Sequence, residues 1–377
     1  MCMEIGSIFE LDPKRLPAKE KTEKAGIVLE ETEKYKKRNV SYTMSGRAAI
    51  ALALRSIVKN RPEVEKKCLL PAYMCDTVFF PFKWEGWEIH FYHVNKNLEA
   101  DEENLRRLIG QVRPGLLFIH AYYGVDTWKP MRSLLKEWKS RGICIMEDVT
   151  QSYYLESAGK EADYVVGSLR KWYPLPDGGF AASEEPLMEE EIFPEKGFTK
   201  KRVELLTEKW EYLYGEGSEE KKRAVKEDYL RKNREMEEWL DQYKGIGAFS
   251  EESAGILAAI EEKECRRRRN ENFRYLCGKL KGKKRFWPIL SGGKSEGETT
   301  APLYFPIYAP DRDRLQRFLK EHDIYAPVLW PVGKENGDCL TEDEKYIYRH
   351  MLALPVDQRY GREEMERMAE VLEKYEA

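Results

Sequence analysis

Asp148 and Ser168 sit in two apolar runs, ICIMEDV (143–149) and ADYVVGS (162–168), and Lys171 follows just after the second. A lysine amine titrates near ~10.4 in water, and burial lowers that value because desolvation disfavours the ammonium. A neutral Lys171 can attack an aldehyde and shuttle a proton at carbon. Arg170 beside it cannot, because a guanidinium keeps its charge. Upstream, Ser45-Gly46-Arg47 opens a helical pattern, and the N–H groups at a helix start bind anions. Together these residues supply an amine, a carboxylate and a phosphate cradle. Pyridoxal 5′-phosphate (PLP) requires that set. A carboxylate about 4 Å from the ring nitrogen is worth on the order of 4 kcal/mol at an effective dielectric near 20. That is roughly three pKa units, enough to keep the ring a good electron sink at neutral pH.

The elements that must position these groups alternate along the chain. SGRAAIALALRSIV (45–58) is apolar at helical spacing, with Ser45 as a ready N-cap. CLLPAY (68–73), WEIHFYHV (87–94), LLFIHAYY (116–123), 143–149, 162–168 and GGFAAS (178–183) read as strands. DEENLRRLIGQ (101–111) and PMRSLLKEWKSRG (130–142) read as crossover helices. Buried strands separated by helices predict an α/β domain with a largely parallel sheet, and ligands of such sheets bind beyond the strands' carboxyl ends. Residues 1–40 read as a polar arm or loose helices. From 184 to 245 the chain turns to Glu, Lys, Arg and aromatics, predicting long exposed helices broken near Gly215–Gly217. Residues 251–281 read as one helix, and two later segments predict a smaller α+β domain.

The 377 residues give ample length for a large core; 42% are apolar and 35% charged, against about 25% charged in average globular chains. Lys+Arg of 64 against Asp+Glu of 67 leaves −3, so nothing global drives the chain to nucleic acid or an anionic membrane. No stretch approaches the ~18 apolar residues of a membrane span, and the first residues lack a signal-peptide core. The seven cysteines are scattered and form no C-x-x-C, which argues against a disulfide framework or cysteine zinc site. The expectation is a soluble, cytoplasmic protein.

The chain resembles the DegT/DnrJ/StrS group of PLP-dependent aminotransferases. The matching stretches are SGRAAIALAL, LLPAYMCDTV, HAYYG, IMEDVTQS, GSLRKWYPLPDGG, SAGILAAIEEKECRRRRNENFRYL and LALPVDQRYGREEMERMAEVLEKY, in the family's order over roughly 41–375. The resemblance implies fold type I: a three-layer α/β/α large domain with a mainly parallel sheet, plus a smaller C-terminal α+β domain. The implied division is an arm at 1–40, a large PLP domain at 41–250 carrying the charged 184–245 segment, and a linking helix with small domain at 251–377. Carried over by position, Lys171 is similar to the internal-aldimine lysine and keeps the family's distance to Gly178-Gly179. Asp148 resembles the partner of the ring nitrogen and Gln151 the group near the ring oxygen. Ser168 and Ser45-Gly46-Arg47 resemble phosphate ligands. Tyr73 falls where the family places an aromatic ring over the cofactor, with Cys75 competing for that position.

The implied activity moves an amino group from an amino-acid donor such as glutamate to a nucleotide-linked keto sugar or related carbonyl acceptor, in a homodimer. Lys171 favours transamination over the related sugar dehydratases, which carry His there. A PLP-fold binding protein without turnover, or a PLP lyase, are the alternatives. Two segments depart from the family's pattern: only Leu169 and Arg170 separate Ser168 from Lys171, and Ile246-Gly247-Ala248-Phe249-Ser250 replaces an Asn-x-Arg segment.

Competing motifs are weaker. His90 and His93 are three apart on a strand, so they face opposite sides and make a poor metal pair. GGKS (292–295) lacks the first P-loop glycine, since Pro288 stands there. Arg266–Arg269 follow acidic residues on a helix and read as a solvated, ion-paired face. Trp172, Tyr173 and Trp330 are candidates to line a substrate pocket.

Overall fold

A computed structural model describes residues 4–16, 37–189, 192–289 and 301–376; GGKS and Cys2 lie outside these, as does most of the 1–40 arm. The chain opens with β1 (Ile5–Gly6), β2 (Asn39–Thr43) and α1 (Gly46–Asn60). Next come β3 (Lys67–Pro71), α2 (Phe79–Trp84), β4 (Glu88–Tyr92), α3 (Glu102–Val112), β5 (Leu116–His120), α4 (Arg132–Ser140), β6 (Cys144–Asp148), β7 (Tyr164–Ser168) and β8 (Gly179–Ser183). A helical hairpin follows, α5 (Lys196–Tyr214) and α6 (Glu219–Gln242), then α7 (Glu251–Ala258) and α8 (Glu262–Leu280). The remainder is β9 (Trp287–Pro288), β10 (Tyr304–Tyr308), α9 (Arg312–Glu321), β11 (Ile324–Tyr325), α10 (Glu342–His350), β12 (Met351–Pro355) and α11 (Arg362–Glu376).

Seven strands form one sheet in the order β2-β8-β7-β6-β5-β3-β4. Strands β3 to β7 run parallel, while β8 is antiparallel to both β7 and β2. Every residue of β5, β6 and β8 is buried, which is why these strands read as unbroken apolar runs. The chain therefore has the mainly parallel α/β fold its sequence predicts, with an antiparallel edge. Among the described residues no helix is long and apolar enough to cross a membrane.

A second core gathers α8, α9 and α11 on the sheet β12-β10-β9, with Phe305, Ile307, Leu352, Leu354 and Met365 at its centre. The two-residue β1 pairs in parallel with β11, Ile5 opposite Ile324, so the start of the chain is stitched to this second core.

The 251–281 stretch is two helices, not one. Ala259 closes α7, and Glu261 (φ −87°, ψ 82°) leaves helical geometry before α8 starts. The break has a packing cause: Ile256 and Leu257 of α7 join the large core, whereas Phe273, Leu276 and Leu280 of α8 join the second. The hairpin break near Gly215–Gly217 falls where expected, between α5 and α6.

Candidate functional site

The sheet register assembles the sequence-predicted groups. His120 and Asp148 end neighbouring parallel strands in register, and Thr43 and Ser168 end the two strands that flank β8, each opposite Gly179. His120 Nδ1 donates to the Asp148 carbonyl at 3.1 Å and lies 3.5 Å from Asp148 Oδ2. Asp148 Oδ1 accepts from Thr150 N at 2.8 Å, and Thr150 Oγ1 accepts from Ser168 N at 3.0 Å. One loop thus fixes both the carboxylate and the serine. Gln151 is buried and accepts from Tyr123 N at 2.9 Å.

The turn into α1 rests on this strand end. A Cβ on Gly179 would stand 2.2 Å from the Ser45 carbonyl oxygen, and one on Gly46 would stand 3.3 Å from Ser168 Cβ. Backbone approaches backbone here because no side chain intervenes. Ser45 Oγ caps Ala48 N at 3.2 Å, and the earlier N–H groups of a helix have no intrahelical acceptor. Arg47 Nη2 meets Asp241 Oδ1 at 2.8 Å, while its Nε and Nη1 have no hydrogen-bond partner among the described residues. Burial lowers the Arg47 pKa, with Asp241 and Glu237 opposing. A glycine-lined helix start backed by Ser168 and an under-satisfied arginine is a donor set suited to a phosphate, and a carboxylate lies on the adjoining loop. These residues fit PLP.

Lys171 ends a short turn after β7 and is exposed to a cavity of about 880 Å³ that Arg170 and Tyr173 also line. Burial lowers the Lys171 pKa; Glu237 opposes, while Arg170 and Arg47 reinforce the shift. Asp148, Gln151, Ser168 and Ser45-Gly46-Arg47 are not on the cavity's lining. Lys171 therefore belongs to both places: it opens to the cavity, and its electrostatic neighbours include Arg47 and Cys75.

Tyr73 is buried in an aromatic cluster, its centroid 4.9 Å from Trp330, 5.4 Å from Tyr122 and 5.0 Å from Tyr348. Trp330 in turn stands 6.1 Å from His120, so the cluster flanks the Asp148 carboxylate's neighbour. The three aromatic candidates divide. Trp172 is wholly buried, donating to the Thr150 carbonyl at 2.8 Å, and Trp330 is also off the lining, leaving Tyr173 as the cavity residue of the three.

The arginine run also divides. Arg267 and Arg268 form surface pairs with Glu264 and Glu271, as expected. Arg269 is fully buried and lines the cavity, stacked 4.6 Å over Trp172. It shares a helix face with Asn272, Phe273 and Leu276, at the three-, four- and seven-residue spacing that a linear run of charges conceals.

Sequence reasoning missed the hairpin's contribution. Glu237 of α6 binds Arg170 and meets Arg202 of α5 at 3.4 Å, and Asp241 holds Arg47. Burial raises the Glu237 pKa, but Arg170, Arg202 and Lys171 together draw it well below the usual carboxylate range. The available signal was spacing: Asn233, Glu237 and Asp241 recur every four residues and so share one face of α6. His90 and His93 pair with different glutamates, Glu88 and Glu344.

No protein-family model matches the sequence. None of the curated proteins matches it by sequence either. Solved structures do share its fold. PseC of Helicobacter pylori, an aminotransferase of pseudoaminic acid biosynthesis, is 15% identical with a TM-score of 0.69, covering 98% of each chain. The sugar aminotransferase CalS13 of Micromonospora echinospora is 15% identical with a TM-score of 0.66, over 99% of this chain and 98% of its own. A DegT DnrJ EryC1 StrS aminotransferase of Brucella abortus is 15% identical with a TM-score of 0.64, over 99% of this chain and 100% of its own. The chain has the fold of these aminotransferases along essentially its whole length.

Proposed function

We propose that this chain is a PLP-dependent aminotransferase of the DegT/DnrJ/StrS type, which moves an amino group from an amino-acid donor to a keto sugar, nucleotide-linked, or a related carbonyl acceptor. The observation that carries the proposal is the position of Lys171 between the Ser45–Ser168 cradle and a roomy cavity, on a fold shared with sugar aminotransferases.

In this reading the start of α1, Arg47 and Ser168 hold the cofactor phosphate. Asp148, braced by Thr150 N, would partner the ring nitrogen, and Gln151 would serve the ring oxygen. Tyr73 belongs to the aromatic wall. When bound, PLP supplies an electron sink for a carbon that loses a proton. Lys171 would be the amine that holds the cofactor, and its neutral form would serve to take and return a proton at the substrate carbon. Its lowered pKa serves both tasks, because each needs the neutral amine.

The test is reduction of the PLP-loaded protein with borohydride and mapping of the modified peptide, alongside assays of amination. Cofactor trapped on Lys171, lost in Lys171→Ala together with amination, is the expected result. Trapping elsewhere, or a Lys171→Ala variant that still transaminates, sinks the assignment. The segment Ile246-Gly247-Ala248-Phe249-Ser250, which stands where the family carries Asn-x-Arg, favours a second reading, a PLP-fold binding protein without turnover. That reading gains if the protein binds PLP yet no amino donor converts the cofactor to its amine form. By the same resemblance we infer a cytoplasmic homodimer. The free thiols of Cys68, Cys75, Cys144, Cys265, Cys277 and Cys339 suit a reducing compartment, and a catalytically complete monomer in sedimentation would contradict the dimer.

A further inference from the structure

The cavity beside Lys171 carries positive charge that its acids do not balance. Arg202 is 5% exposed and Arg269 is fully buried. Arg170 and Arg202 share one carboxylate, that of Glu237. The closer partner of Arg202 is neutral, Asn233 Oδ1 at 2.7 Å. Every hydrogen bond of Arg269 goes to a neutral acceptor: Gln358 Oε1 at 2.7 Å and the carbonyls of Pro302 and Leu303 at 3.0 and 3.2 Å. Asp357, which also faces Arg269, is itself bonded to Arg359 at 2.8 Å. Arg170 Nε, Arg202 Nε and Arg269 Nη2 have no partner among the described residues.

Burying a cation without a counter-ion is costly. Two guanidinium groups and an amine around the Glu237 carboxylate, with Arg269 on the same cavity wall beside an Asp357 that Arg359 already holds, therefore call for a further anion. Guanidinium groups match the planar, two-oxygen edge of carboxylates and phosphates. The neutral bonds of Arg202 and Arg269 hold those side chains in place whatever binds. Glu237 differs: its side chain is 38% exposed, against 11% for Arg170 and 6% for Arg202. About 880 Å³ is far more than a lone inorganic ion fills and lies within the ~300–1,000 Å³ typical of organic ligands.

We propose that Arg170, Arg202 and Arg269 form a subsite for a phosphate or carboxylate group of the substrate, and that Glu237 is its internal counter-ion, displaced when the ligand's anion arrives. The hairpin α5–α6 is then the element that sets substrate choice, since it supplies both Arg202 and Glu237. The link to amination rests on Lys171 being the cofactor-bearing amine, but anion binding itself does not.

The test is calorimetric titration of pyrophosphate, phosphate and succinate into the full-length protein, with saturating PLP to block the Ser45–Gly46 turn and again without it. At least one anion is expected to bind in both conditions, more weakly as salt rises. Arg202→Gln should weaken that binding about tenfold, equivalent to ~1.4 kcal/mol. Arg202→Lys, which keeps the charge if the glutamine variant folds poorly, should recover part of it. Glu237→Gln should tighten it several-fold. Preference for pyrophosphate assigns the subsite to a phosphoryl group, and preference for succinate to a carboxylate. No binding of any probe, equal affinity in wild type and Arg202→Gln, or loss of binding in Glu237→Gln overturns the proposal. Failure to trap cofactor on Lys171 would overturn the PLP reading instead, and leave an Arg202-dependent titration standing.

Discussion

Asp241 Oδ1 lies 2.8 Å from Arg47 Nη2, so a carboxylate from the α5–α6 hairpin holds the cation at the first turn of α1. Any phosphate seated on that turn competes with Asp241 for the same guanidinium. The pair is partly open to water, with Asp241 40% exposed, so it is worth only about 0.2–1 kcal/mol. Asp241→Asn is accordingly expected to tighten PLP binding by a few-fold. An absorbance titration with PLP measures this. Weaker binding in the variant would mean that Asp241 positions Arg47 rather than competing for it.

The two glycines of the cradle should respond unequally to a methyl group. At Gly179 the added Cβ meets the Ser45 backbone at 2.2 Å, and neither strand nor helix start can yield cheaply. At Gly46 the contact is 3.3 Å to a side-chain carbon, a few tenths of an ångström too close. Gly179→Ala should therefore cost about 1–3 kcal/mol of stability, as overpacking does, and markedly weaken PLP binding. Gly46→Ala should cost clearly less. Urea unfolding of both variants gives the comparison, and equal losses would show that the turn is softer than its geometry implies.

What the sequence revealed and what it hid have physical reasons. β5, β6 and β8 are buried on both faces, so their apolar runs need no context to be recognised. Ser45 as N-cap of α1 is likewise a local signal. β1 gives no such signal, because two residues form a strand only by meeting Ile324 and Tyr325 far along the chain. Arg269 and Glu237 were hidden by composition: each sits in a run of charges, and only the helix face decides which charge turns inward. The strand ends that place Asp148 and Ser168, with Lys171 one short turn later, were legible because an apolar run shows where its strand stops. Their counter-charges lie on helices packed from elsewhere, where no local pattern points.

Lys171 should show the effect of Glu237 in its pH profile. Glu237 favours the ammonium and so opposes the downward shift that burial imposes. Replacing it with glutamine removes that opposition, lowers the amine's pKa further and enlarges the neutral fraction at a given pH. The rate at which PLP is captured should rise with pH in wild type, with a midpoint below the ~10.4 of a free lysine. In Glu237→Gln the midpoint should move to lower pH. Stopped-flow absorbance over a pH series reads both, and an upward move would exclude Glu237 as an electrostatic partner.

Lys209 anchors the start of the chain against α5. Its buried ammonium donates to the Ile8 carbonyl, reaches the Gly6 carbonyl at 3.4 Å and lies 3.2 Å from Glu4 Oε1. Burial, reinforced by Arg359 and opposed by Glu4 and Glu10, pushes its pKa down to about 8. The unfolded chain holds that proton up to ~10.4, so between roughly pH 8 and 10 the unfolded state binds more protons and this lysine makes stability rise with pH. Lys209→Met should lack that contribution, so the difference between wild type and variant should grow with pH across the window. The variant also removes one donor from each of two carbonyls, although Ile8 O keeps Arg359 Nη1 at 2.9 Å and Gly6 O keeps the Tyr360 hydroxyl at 3.3 Å. The cost is therefore that of lost hydrogen bonds, about 0.5–1.5 kcal/mol, and not of orphaned groups. Because Gly6, Ser7, Ile8 and Phe9 line the cavity, loosening them should also weaken ligand binding there. Urea unfolding at pH 7, 8, 9 and 10, with limited proteolysis at the N-terminus, tests all three effects. A pH-independent difference would show that Lys209 titrates alike in the folded and unfolded chain.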